Sequence, residues 1–159
     1  MENVAQENLD RLKASASAWF GNVDPSLGTG AMIETAFLMA AADGTLSDIE
    51  REQLIATMEY ITDKKISREK LDETIDQLLE ALSTDGWEAR INAVASSLSD
   101  TLARRNAYRL AAGVSFIDGE VQAEEAQLFT LLARAFEIPE TEAEGILVEV
   151  RDELFPKSA

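Results

Sequence analysis

The chain has 159 residues, 46% of them apolar and 28% charged, a globular balance in a length suited to one ordinary domain. Its formal net charge is −16, which repels phosphate backbones and anionic headgroups and attracts cations and basic partners, so nucleic acid and direct membrane insertion are excluded as expectations. It has no histidine and no cysteine, which removes Ser-His-Asp triads, thiolate nucleophiles and nitrogen- or sulfur-ligated zinc, and leaves oxygen-loving cations such as calcium, magnesium or manganese as the cofactor chemistry within reach.

Strand signals are nearly missing and strong helix formers dominate, so the chain reads as all-α, with seven or eight helices. An amphipathic segment over residues 4–20 is followed by a turn-rich stretch holding Gly21, Asp24, Pro25, Gly28 and Gly30. Residues 1–29 are therefore expected to form an N-terminal helix and linker, and residues 30–159 the main helical domain. Met1, Glu2 and Asn3 open no basic leader, and the longest apolar run, Ala36 to Ala42, is too short for a bilayer, so a cytoplasmic location is the default expectation.

Helix starts are then signalled at Ser47 with Glu50, at Ser67, at Asp85 with Glu88, near Ser99 and Asp100, and around Gln122. Pro139 suits the first turn of a last helix carrying Ile146, Leu147 and Val150. Basic residues cluster at Lys64, Lys65, Arg68 and Lys70 and again at Arg104, Arg105 and Arg109, as a solvated face or as a mixed-charge docking face.

An internal duplication appears when residues 32–61 are laid on residues 107–136 at constant offset. Four positions are identical, Ala36/Ala111, Asp43/Asp118, Gly44/Gly119 and Glu50/Glu125, and three of the four lie in or just after a turn. Small residues in the two leading helices, such as Ala40 and Ala41 or Ala112 and Gly113, let those helices approach closely. The expected fold is thus a multihelical bundle with internal pseudo-twofold duplication around two central helices.

This twice-repeated pattern, an Ala-rich apolar helix ending in Asp-Gly-x-aliphatic with a Glu seven positions after the Asp, resembles the TerB-like superfamily of tellurite-resistance proteins. The resemblance covers roughly residues 30–139. It implies a non-enzymatic stress-response protein, with a divalent cation held by Asp43, Glu50, Asp118 and Glu125 and with protein partners that include membrane-associated Ter proteins. Gln122 departs from the Ser or Asp usual at its place in the motif.

A plainer account makes Gly44 and Gly119 left-handed helix ends and Ser47 with Glu50 a capping box. It leaves Asp43 and Asp118 facing the negative ends of helix dipoles, where a cation, Arg51, or one of Arg104, Arg105 and Arg109 would compensate. The alternative function is a helical protein-interaction module, co-chaperone-like, whose carboxylates only cap and whose apolar groove receives a partner helix.

Overall fold

The computed structural model describes residues 29–42, 44–61, 66–116 and 123–154, together with Asp10, Arg11 and Ala14. Among the described residues the fold is all-helical: α1 (Thr29–Ala40), α2 (Asp48–Ile61), α3 (Arg68–Asp85), α4 (Trp87–Ser97), α5 (Thr101–Phe116), α6 (Ala123–Ala135) and α7 (Glu140–Leu154). None of these helices is long and apolar enough to cross a membrane. The expected N-terminal segment lies almost wholly outside the described residues. Two of its members are tied to the bundle, Arg11 donating to the carbonyl of Leu154 at 2.8 Å and Asp10 accepting from the Tyr60 hydroxyl.

Helix α1 is apolar on nearly every side, so it cannot lie on a surface. Met32, Ala36, Phe37, Leu38 and Met39 are all buried, and so are the polar Glu34 and Thr35. Its main neighbour is α5, which buries Asn106 to Tyr108 and Leu110 to Gly113, interrupted by the part-exposed Arg109. Alanines on both helices, Ala36 against a set including Ala107, Ala111 and Ala112, allow that close approach. Around this pair, α2 and α4 cover α1 while α7 covers α5, and α3 bridges α2 and α4.

Among the described residues one charged side chain is buried in the core. Glu34 on α1 has a side chain only 8% exposed and receives two parallel hydrogen bonds from Arg90 on α4, both 2.8 Å. Asp85 adds a third contact to Arg90 at 3.2 Å. The hydrogen bonds that Arg90 donates to Glu34 outweigh desolvation and hold the guanidinium well above its ordinary pKa.

Most helix boundaries follow local chemistry. Ser67 caps α3 by accepting from the Lys70 amide at 3.1 Å, and the Asp100 carbonyl accepts the first bond of α5 from Arg104 at 3.0 Å. The start near Gln122 lies outside the described residues, and α6 is described from Ala123.

Three boundaries differ from expectation. Gly30 belongs to the first turn of α1, so the linker stops short of it. Asp85 is the last residue of α3 rather than the cap of α4. The junction is Gly86 alone, at φ 87° and ψ 168°, a conformation open essentially to glycine; its amide closes α3 on Leu82 and its carbonyl opens α4 on Arg90. Pro139 sits one place before the first turn, its carbonyl accepting from the Ala143 amide at 2.8 Å.

Helix α6 ends in a Schellman turn. The Ile138 amide reaches the Ala133 carbonyl at 2.8 Å and the Glu137 amide reaches the Arg134 carbonyl at 3.1 Å. Glu137 takes φ 58° at the position glycine usually holds. No glycine marked this stop in the sequence, which is why it was not anticipated.

Candidate functional site

Of the four carboxylates expected to share a cation, Asp43 and Asp118 lie outside the described residues, as do Gly119 and Gln122. The other two are placed, and they do different things. Glu50 forms a reciprocal capping box with Ser47: the Ser47 amide donates to its carboxylate at 2.9 Å and the Glu50 amide donates to the Ser47 hydroxyl at 3.1 Å. Glu125, whose copy has Gln122 in place of that serine, accepts from the hydroxyl of Ser115 on α5 at 2.7 Å. Among the described residues no three Asp or Glu side chains are grouped so as to hold a metal ion.

Gly44 has φ 92°, as the plainer account of the turn requires, but it stands beyond the helix end rather than at it. The α1 spiral runs on through the Ala41 amide, and Gly44 closes a separate turn by donating to the Ala41 carbonyl at 2.9 Å. A Cβ at Gly44 would meet nothing within 4 Å, so the cost of a side chain there is purely conformational. Gly44→Ala is expected to lower unfolding stability by about 1 kcal/mol in a urea titration, and Gly44→Asn by less, since asparagine tolerates positive φ.

The arginines considered as compensators are committed elsewhere. Arg51 pairs with Asp72 and Asp76 on α3, both at 2.8 Å. Arg105 holds Glu142 of α7 in a two-pronged pair at 2.7 and 2.6 Å, which keeps that carboxyl below its usual range, and Arg109 binds Asn106 at 2.9 Å with Glu149 at 3.9 Å. Arg104 caps helix ends: it donates to the carbonyls of Ala95 and Leu98 at 2.8 and 2.6 Å and, more weakly, to that of Phe136 at 3.4 Å. With side chains only 19% exposed, Arg104, Arg105 and Arg109 form cross-links rather than the solvated or docking face expected of them. Lys64 and Lys65 lie outside the described residues, and Arg68 is bound to Glu52 and Glu59.

A groove of about 600 Å³ lies on the other side of α5. Helices α6 and α7 follow each other through the Schellman turn, yet each packs on α5 and they barely touch one another. The space between them is floored by Tyr108, Phe116 and Phe129. The Phe129 ring meets Tyr108 edge-on at 5.7 Å and Phe116 at 6.3 Å. One wall is an α6 stripe, Ala126, Phe129, Thr130, Ala133 and Arg134, and the other an α7 stripe, Glu140, Ala143, Glu144, Leu147, Val148 and Arg151. Both stripes have the three-and-four spacing of a helix face. Val148 is 45% exposed, an apolar side chain left on the wall of an apolar trough.

The floor has a measurable electrostatic signature. Burial pushes the Tyr108 hydroxyl up to about 12, and its hydroxyl donates to the Phe129 carbonyl at a long 3.4 Å. A phenol whose folded pKa is raised contributes stability that is complete below pH 10, the unfolded value, and is lost as pH rises towards 12. Stability should therefore fall by about 2 to 3 kcal/mol over that interval through this group. Tyr108→Phe should stay within about 1 kcal/mol of wild type at neutral pH and lack that part of the alkaline loss, measured by denaturant titration at each pH.

The groove was not anticipated residue by residue. The α7 stripe is visible as spacing, but Ile146 and Val150 of the same helix turn inward and are buried, so periodicity alone gives two apolar faces without saying which is covered. Comparison of the chain with protein-family models, with curated proteins and with solved structures found no match in any of the three.

Proposed function

We propose that the chain is a non-enzymatic helical protein-binding module of the TerB-like kind, which engages a partner through the α5–α6–α7 groove. The observation that carries this reading is the splaying of α6 and α7 over an aromatic floor, with exposed Val148 on the wall. Two stripes at helical spacing, with Ala126, Phe129 and Ala133 on one and Ala143, Leu147 and Val148 on the other as their apolar members, suit a third helix laid between them. Titrating isotope-labelled full chain with a neutral Leu/Gln amphipathic peptide should shift the backbone resonances of residues lining the groove. Shifts confined to the α2–α3 side, or none at saturating peptide, would overturn the assignment.

A second reading keeps the cation implied by the TerB resemblance, with stress response as its context. Its support is the equivalence of Asp43, Glu50, Asp118 and Glu125 in the two copies, together with the commitment of Arg51, Arg104, Arg105 and Arg109 to other partners. On that reading calcium, magnesium or manganese at a hundredfold excess over Kd stabilises the fold by about 2.7 kcal/mol beyond sodium chloride of equal ionic strength. Asp43→Asn with Asp118→Asn abolishes that increment. Equal shifts with divalent and monovalent salt would leave the two described glutamates as the hydrogen-bonding groups already seen.

A further inference from the structure

Besides its apolar lining, the groove has a charge pattern that specifies what it takes. Six arginines of the bundle, Arg51, Arg68, Arg90, Arg104, Arg105 and Arg109, are bound to carboxylates within the chain. Arg134 and Arg151 on the groove rim are different: among the described residues neither makes an ion pair, nor do the rim acids Glu140 and Glu144. All four are exposed. The last turns of α6 and α7 account for part of the placement of the arginines, since cations favour helix C-termini. They do not account for the polarity of the trough.

That polarity follows from the chain path. The turn at residues 136–139 joins α6 to α7, so Arg134, Glu140 and Glu144 gather at its closed end with a net negative charge. Helix α7 then runs along α5 in the same direction, Arg105 meeting Glu142 and Arg109 approaching Glu149, which carries Arg151 towards the opposite end of the groove. The trough is negative at one end, apolar in the middle and positive at the other. The whole molecule adds a field from its net charge of −16.

Resting on the reading of the groove as a protein-binding site, we infer that its occupant is an amphipathic helix of another protein, apolar at three-and-four spacing, with lysine or arginine at the end beside Glu140 and Glu144 and an acidic residue at the end beside Arg151. A second copy of this chain is disfavoured as occupant because each copy brings the same large negative charge. Free apolar ligands would leave the charged ends without a role. A net-basic partner also gains from the long-range field, which speeds encounter at low salt, while the apolar middle sets the lifetime of the complex.

Two labelled peptides of roughly 14 residues, about the length of α6 or α7, with one shared leucine stripe and either lysines or glutamates beside it, serve as probes. Binding is followed by fluorescence anisotropy at low ionic strength. The lysine peptide should bind the full chain at least about tenfold more tightly than the glutamate peptide. Val148→Asp should weaken both by about tenfold or more, and Glu140→Lys with Glu144→Lys should shrink the preference by about tenfold. All three positions are exposed, and unchanged thermal midpoints confirm that the variants fold.

Equal affinity for the two peptides, with both still sensitive to Val148→Asp, would overturn the charge assignment while leaving the groove as the binding site. A lysine preference that survives the double reversal would place recognition in the general field and overturn it also. Affinities indifferent to Val148→Asp would bring down the groove reading itself. A dimer seen by sedimentation equilibrium and dissolved by Val148→Asp would make the occupant a second copy, contrary to the proposal.

Discussion

Arg90→Met should lower the stability of the chain by about 3 kcal/mol, a large share of the roughly 5 to 15 kcal/mol that holds a domain of this size folded. The loss comes less from the missing attraction than from what remains. Glu34 sits on the central helix with its side chain 8% exposed, and both its oxygens lean on Arg90. Without the guanidinium a carboxylate is left in the core with neither water nor a counter-charge. Glu34→Leu combined with Arg90→Met should recover most of the loss, because a buried pair replaced by apolar groups of similar volume is close to neutral. Urea unfolding of the two single variants and the double decides the matter. Additive losses in the double variant would mean that the pair stabilises outright rather than excluding an unpaired charge.

Phe129→Ala should cost about 3 to 4 kcal/mol, with Phe129→Leu well under half of that. The ring is buried on α6 and is the shared neighbour of Tyr108 and Phe116, so its removal strips two aromatic contacts and opens a void where α5 and α6 meet. Leucine refills most of that volume. The same ring is part of the groove floor, so the alanine variant should lose peptide affinity as well as stability. Calorimetric unfolding gives the first effect and anisotropy the second. A variant that loses stability but keeps full affinity would move the binding surface away from this floor.

Local signals in the sequence carried a good part of the fold. Helix formers and stripes gave an all-helical chain, small residues on the leading helices gave the close α1–α5 pairing, and Ser47 and Ser67 marked helix starts because each supplies an acceptor three residues before an orphan amide, with Glu50 reaching back to the Ser47 amide. What failed was whatever depends on a tertiary partner. Asp85 has the composition of a cap but is drawn to Arg90, leaving Gly86 to make the junction. Glu137 adopts a left-handed turn with no glycine to announce it, because the Schellman bonds and the burial of Ile138 impose it.

The candidate sites show the same division. Glu50 and Glu125 occupy equivalent positions in sequence, and Glu50 caps its own helix as the spacing predicts, while the bond from Ser115 on α5 to Glu125 is one that no local spacing rule announces. Arg104 reads as one of a basic cluster, and only the meeting of the ends of α4 and α6 makes it a cap for both. Glu34 stands in an apolar stretch and needs Arg90, 56 positions away, to explain it. The groove depends on the angle at which α6 and α7 leave the turn at residues 136–139, and no spacing rule encodes an angle.

The central claim is that binding resides in the groove and not in the Asp-Gly turns. The most direct measurement is the affinity of one neutral Leu/Gln amphipathic peptide for three forms of the full chain: wild type, Val148→Asp, and Asp43→Asn with Asp118→Asn. The account predicts a loss of about tenfold or more for the groove variant and an unchanged affinity for the turn variant. Loss in the turn variant with full affinity retained by Val148→Asp would contradict it.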